Sequence, residues 1–147
     1  MHTDTWKEFS ENVITHSGAH HLIAVMELLD KHGYARVSDV ARSLGVTSGS
    51  ASINLKSLKA KGLVIEDTNR FLLLSPEGRT LGEAIIQRRD ILTRFFITIL
   101  GVSPEQAEID ACKTEHLLSP ETTTKMAAQI ESCGSCPSHQ LLRQITK

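Results

Sequence analysis

The chain has 147 residues, 40% of them hydrophobic and 22% charged, which suits one soluble globular core or a small domain with a helical unit beside it. A net charge of −1 does not point to nucleic acid by itself, so any DNA-binding surface must segregate its charge. No apolar stretch approaches bilayer-spanning length, and the polar start from Met1 to Glu11 is unlike a secretory signal. A cytoplasmic location follows as the expectation. In a reducing compartment the three cysteines are read as thiols or metal ligands before disulfides, and seven histidines are many for this length.

Trp6 to Thr15 reads as weakly helical, with Trp6, Phe9 and Val13 at helical spacing, and Ser17-Gly18 is expected to interrupt it. A stronger helix is predicted from about Ala19 to Lys31, with Leu22, Ile23, Met26 and Leu29 on one face and Gly33 closing it. Ser38 is expected to cap a short helix containing Val40, Ala41 and Leu44, stopped by Gly45. Thr47 or Ser48 opens the next, with Ala51, Leu55 and Leu58 inward, ending at Lys61-Gly62. Leu63-Val64-Ile65 and Phe71-Leu72-Leu73-Leu74 flank a polar turn and predict a β-hairpin. Ser75-Pro76-Glu77 starts a long helix reaching about Leu100, and Gly101 ends it. Ser103-Pro104-Glu105 and Ser119-Pro120-Glu121 repeat that start signal for two more helices. The chain is mainly α.

Helices, a tight turn, another helix and a hairpin form the order of a winged helix-turn-helix, with Leu44-Gly45-Val46-Thr47 as the turn. The helix from about Ser48 to Lys61 is small and polar at its start and carries lysines toward its end. Small residues let a helix approach the major groove, asparagine can pair with adenine, and lysines suit phosphates. The DNA-contacting candidates are Thr47, Ser48, Ser50, Asn54, Lys56, Lys59 and, at the hairpin tip, Arg70. A solvated face on a protein-binding module is the plainer alternative.

Cys112, Glu115 and His116 lie three and four residues apart, hence on one face if their segment is helical. Thiolate, carboxylate and imidazole together suit a borderline divalent metal better than Mg(II) or Ca(II). By itself the triplet is open to a plain reading, because a helical cysteine is often a small buried hydrophobe.

Over nearly its whole length, to about residue 132, the chain resembles the diphtheria toxin repressor and manganese transport regulator family of metal-dependent repressors. Gly33 to Ala41 and Leu74 to Arg79 resemble the segments before the recognition helix and after the wing, and Asp110 to Ser119 resembles the metal-binding helix. The resemblance implies a DNA-binding domain at 1–74 and a helical metal-binding and dimerisation domain at 75–147. It also implies a homodimer on a palindromic double-stranded operator, without the SH3-like domain of longer members. It implies His20 as a further ligand, completing a set with Cys112, Glu115 and His116. That set leans toward Fe(II), then Zn(II), Co(II) or Mn(II). His16 and His21 are lesser candidates, His16 because Ser17-Gly18 is expected to break its alignment with His20. At the family's second metal site Arg89 replaces a histidine and Thr93 an acidic residue, leaving Glu108 alone. That site is read as lost, with Arg89 expected to pair with Glu108 or Asp110.

After Ile130 come Cys133, Cys136 and His139, a compact set that could hold a second metal or act as a redox-sensitive dithiol. It lies outside the resemblance. Two rival functions follow: a thiol-redox regulator using Cys133 and Cys136, and a metal-binding interaction module that does not read DNA. No nucleophile–base pair, phosphate loop or cofactor motif points to an enzyme, and no small-molecule substrate is expected.

Overall fold

The computed structural model describes residues 13–134, in two compact units that divide between Ile86 and Gln87. Trp6, Phe9, Cys136 and His139 lie outside the described residues.

In the first unit, α1 spans His16–His32, three residues longer at its start than the sequence suggests. Thr15 is its N-cap, the hydroxyl accepting from the Gly18 amide at 3.0 Å. Ser17-Gly18 therefore forms the first turn of α1 instead of breaking it. Gly18 is small for a packing reason, since a Cβ there would lie 2.9 Å from Ile14 Cγ1. The next helix, α2 (Val37–Leu44), starts one residue before Ser38. Its N-cap is Arg36, whose amide donates to the Asp39 carboxylate at 3.2 Å, so the acid supplies the local bond expected from Ser38. Gly45 closes α2 at φ 65, a conformation that disfavours residues with a Cβ, and the Val46 amide reaches back to the Ala41 carbonyl at 3.0 Å. Thr47 then caps α3 (Ser48–Ala60), accepting from the Ser50 amide at 3.1 Å.

Ala51, Leu55 and Leu58 of α3 are buried in a core with Leu22, Val25, Val40, Ala41, Val64, Leu72 and Ile85. Each large member stabilises the unit by roughly 1.5–3 kcal/mol relative to exposure. Strands β1 (Val64–Glu66) and β2 (Leu72–Leu74) pair antiparallel, with Ile65 opposite Leu73. The Leu72 amide donates to the Ala35 carbonyl at 2.8 Å, so the segment before α2 covers part of the hairpin edge. Ser75 ties the hairpin to the helix that follows, α4 (Pro76–Thr98), by accepting from the Gly78 amide at 2.9 Å and donating to the Leu63 carbonyl at 3.3 Å. A Cβ on Gly78 would lie 2.0 Å from that same carbonyl oxygen, so only glycine fits there.

The second unit contains the latter part of α4, then α5 (Pro104–Thr114) and α6 (Pro120–Gly134). Ser103 and Ser119 cap α5 and α6 through the Gln106 and Thr122 amides, as their Ser-Pro-Glu signatures predict. Leu92, Ala107, Ala111 and Ile130 are buried, as is one carboxylate, that of Glu115. No helix among the described residues is long and apolar enough to cross a membrane.

Candidate metal centre and nucleic-acid interface

The outward face of α3 is built from small polar groups. Ser48, Gly49, Ser50 and Ser52 are exposed, and Lys56 extends outward from the middle of the helix. The Asn54 side-chain amide donates to the Ser50 carbonyl at 3.1 Å, which holds it along the helix. Thr47 spends its hydroxyl on the cap, and Lys59 is ion-paired with Glu66 of β1, so that lysine faces the hairpin. Arg70 is exposed at the hairpin tip in the left-handed region, φ 63. The preceding Asp67 carboxylate makes that bend possible by accepting from the Asn69 and Phe71 amides, both at 2.8 Å. Sequence reasoning missed Ile53, which is 73% exposed on the same helix. The signal was present, because position 53 falls off the 51, 55 and 58 stripe.

On α1, His16 and His20 stand one turn apart with ring centroids 4.6 Å from each other and planes at 77°. The helix runs unbroken through Ser17-Gly18, so the two are aligned, contrary to expectation. His21 faces the interior, only 3% exposed, with Nδ1 2.7 Å from the Ser17 carbonyl. Its orientation is that of a core histidine.

In the second unit α5 ends at Thr114, and Glu115 is its C-cap, still helical at φ −54, with its amide donating to the Ala111 carbonyl at 2.8 Å. Cys112, in the last turn of α5, and His116, in the turn that follows the helix, are half-buried, and Glu115 between them is fully buried. The three do not all lie on one helix, as their spacing led one to expect, because α5 stops at Thr114. Both Glu115 oxygens are bound by Arg89 of α4, Nη2 to Oε1 at 2.8 Å and Nε to Oε2. Arg88 Nη1 donates to the Glu115 main-chain carbonyl at 2.9 Å. The expectation that Arg89 pairs with Glu108 or Asp110 is thereby corrected. Glu108 is exposed, and Asp110 is engaged by Gln106 and Lys113. The physical reason is burial: a carboxylate withdrawn from water requires a paired cation, whereas an exposed one does not. Glu115, expected as a ligand, thus has its carboxylate directed at a guanidinium. Burial pushes the Cys112 thiol above its ordinary range, the Glu115 charge adds to this, and Arg89 opposes it. A metal binding there as thiolate complex displaces the thiol proton. Cys133 lies half-buried near the end of α6.

A winged helix followed by a helical unit that places a thiol, a carboxylate and an imidazole around the end of α5 defines the class of metal-dependent winged-helix regulators. Residues 75–141 match the family profile described as the iron dependent repressor, metal binding and dimerisation domain. The HTH-type transcriptional regulator MntR of Lysinibacillus sphaericus is 32% identical over 111 residues, covering 76% of this chain and 79% of that protein. Among solved structures, IdeR of T. acidophilum superposes with a TM-score of 0.61 at 20% identity, covering 77% of this chain and 53% of that one. The manganese regulator SloR gives 0.69 at 18% identity, covering 78% and 53%. The chain spans about half the length of these two solved proteins, and they establish the fold. This chain belongs to the diphtheria toxin repressor and manganese transport regulator family of metal-dependent transcriptional repressors, whose members are regulators and not enzymes.

Proposed function

We propose that this chain is a cytoplasmic repressor that binds a palindromic operator as a homodimer when a divalent transition metal occupies a site using His20, Cys112 and His116. The observation that carries this reading is the placement of Cys112, in the last turn of α5, and His116, in the turn just after it, both half-buried within the matched metal-binding and dimerisation domain. These donors fit a borderline ion, and the thiolate favours Fe(II), Zn(II) or Co(II) over Mn(II). SloR is described as a manganese regulator, which weighs toward manganese, so Mn(II) belongs in the same test. A bound ion supplies the free energy that favours the DNA-competent arrangement, and by linkage DNA tightens metal binding equally.

For the DNA contact, Ser48, Ser50, Asn54 and the exposed Ile53 are the base-reading candidates, Ile53 suiting a thymine methyl. Lys56 and Arg70 suit phosphates, while Thr47 and Lys59 act through the cap and the hairpin. Exposed Ile97, Leu100, Ile109 and Leu117 in the second unit supply apolar surface for a second copy. The test is an anaerobic titration of apo-protein with Fe(II), Mn(II), Zn(II) and Co(II), following labelled promoter DNA by anisotropy. Metal-dependent tightening that disappears in His20→Ala and Cys112→Ala supports the reading. Strong DNA binding by the apo-protein, unaffected by either substitution, refutes it.

A further inference from the structure

We propose that Arg89 sets the metal preference of the Cys112 and His116 donors by holding the Glu115 carboxylate away from the ion. This rests on the metal reading above and deepens it, by making Glu115 a positioning residue instead of a ligand.

Two consecutive arginines of α4 hold one residue. Arg89 takes both Glu115 oxygens in the two-pronged geometry that suits a guanidinium and a carboxylate. Arg88 takes the Glu115 main-chain carbonyl, one of the acceptors left without a helical partner where α5 ends. The Glu115 side chain is fully buried, so its charge is compensated by Arg89 and not by water. For that carboxylate to serve an ion, it would have to give up bonds to a guanidinium already in place. A fixed positive charge at the same oxygens also opposes a divalent cation there.

The donors that remain are the Cys112 sulfur in the last turn of α5 and the His116 nitrogen in the turn that follows it. Removing the only carboxylate among the three changes the chemistry of the set. Manganese(II) favours oxygen donors, whereas zinc(II), cobalt(II) and iron(II) accept nitrogen and sulfur. Arg89 therefore acts as a selectivity residue without touching the metal.

The experiment uses the full chain and the metals alone. Cobalt(II) binding is read from its thiolate charge-transfer and visible bands, and manganese(II) binding from loss of the free-ion EPR signal. Wild type is compared with Glu115→Gln, Arg89→Gln, Arg89→Lys and the Arg89→Gln/Glu115→Gln double variant. In wild type, Glu115→Gln should leave the cobalt spectrum unchanged. Arg89→Gln should tighten manganese(II) by about tenfold or more, within the range by which groups around a metal's ligands tune affinity. The double variant should lose that gain, and Arg89→Lys should retain much of the wild-type preference. Loss of the cobalt bands in Glu115→Gln alone would make Glu115 a ligand and overturn the proposal. So would a folded Arg89→Gln protein with unchanged manganese affinity. If Arg89→Gln does not fold, Glu115→Gln and Arg89→Lys still decide the matter. Failure of the underlying metal reading looks different: wild type would show no thiolate–cobalt band, and Cys112→Ala would change no affinity.

Discussion

The outward face of α3 and the end of α5 treat their polar groups in opposite ways. On α3 the serines and Lys56 stand in water, where an unpaired polar group carries no desolvation penalty and stays available to a ligand from outside. At the end of α5 the Glu115 carboxylate is withdrawn from water and committed to Arg89. The difference teaches where each region can be altered. Substitutions on the first should change binding and spare stability, whereas substitutions at the second should change stability and site chemistry together.

The largest effect should come from a place where the first unit tolerates no added atom. Gly78→Ala forces a Cβ against the Leu63 carbonyl, and an equilibrium urea melt should show a loss of about 3 kcal/mol or more. An undisturbed melt would mean that hairpin and α4 can separate at little cost. Arg89→Ala leaves Glu115 buried without its cation and should lower stability by about 2–3 kcal/mol, below the usual figure because Arg89 is itself partly exposed. Glu115→Gln, which removes the buried charge but keeps an acceptor, should be milder in the same melt. If the two variants melt alike, charge burial is not what the pair manages.

Thr47→Ala should cost about 1 kcal/mol through loss of the α3 cap, read from thermal melts, and weaken DNA only in proportion. The smallest effect on stability should be that of Lys56→Ala, which is expected to melt like wild type. Its signature would appear instead in DNA titrations, where the dependence of affinity on salt should fall by about one unit of slope. Lys59→Ala should move that slope less, because Lys59 is paired with Glu66. Equal slopes for the two would place Lys59 on the DNA side and erase the distinction drawn between them.

Much of the fold was legible because helix punctuation is local. Thr47, Ser103-Pro104 and Ser119-Pro120 each mark a start that depends on a hydroxyl and an amide only three residues apart. Where the local signal was read through glycine's low propensity alone, it misled. Ser17-Gly18 sits inside α1 because the cap is Thr15 and Ile14 occupies the space a side chain at Gly18 would need. Ile53 was legible from helical phase and was overlooked. Among the site residues, the grouping of Cys112, Glu115 and His116 followed from spacing, whereas the partner of Arg89 did not.

The sequence by itself determined the order of elements, the winged-helix pattern, the donor types near the end of α5 and, through its resemblance, the family. Those depend on periodicity, caps and residue chemistry, all carried within a few positions of the chain. Only the tertiary structure decided that Glu115 is fully buried, that Arg89 and not water satisfies it, and that Lys59 turns toward the hairpin. Ion pairing is chosen by burial and proximity across elements, and Arg89 and Glu115 are 26 residues apart in the chain.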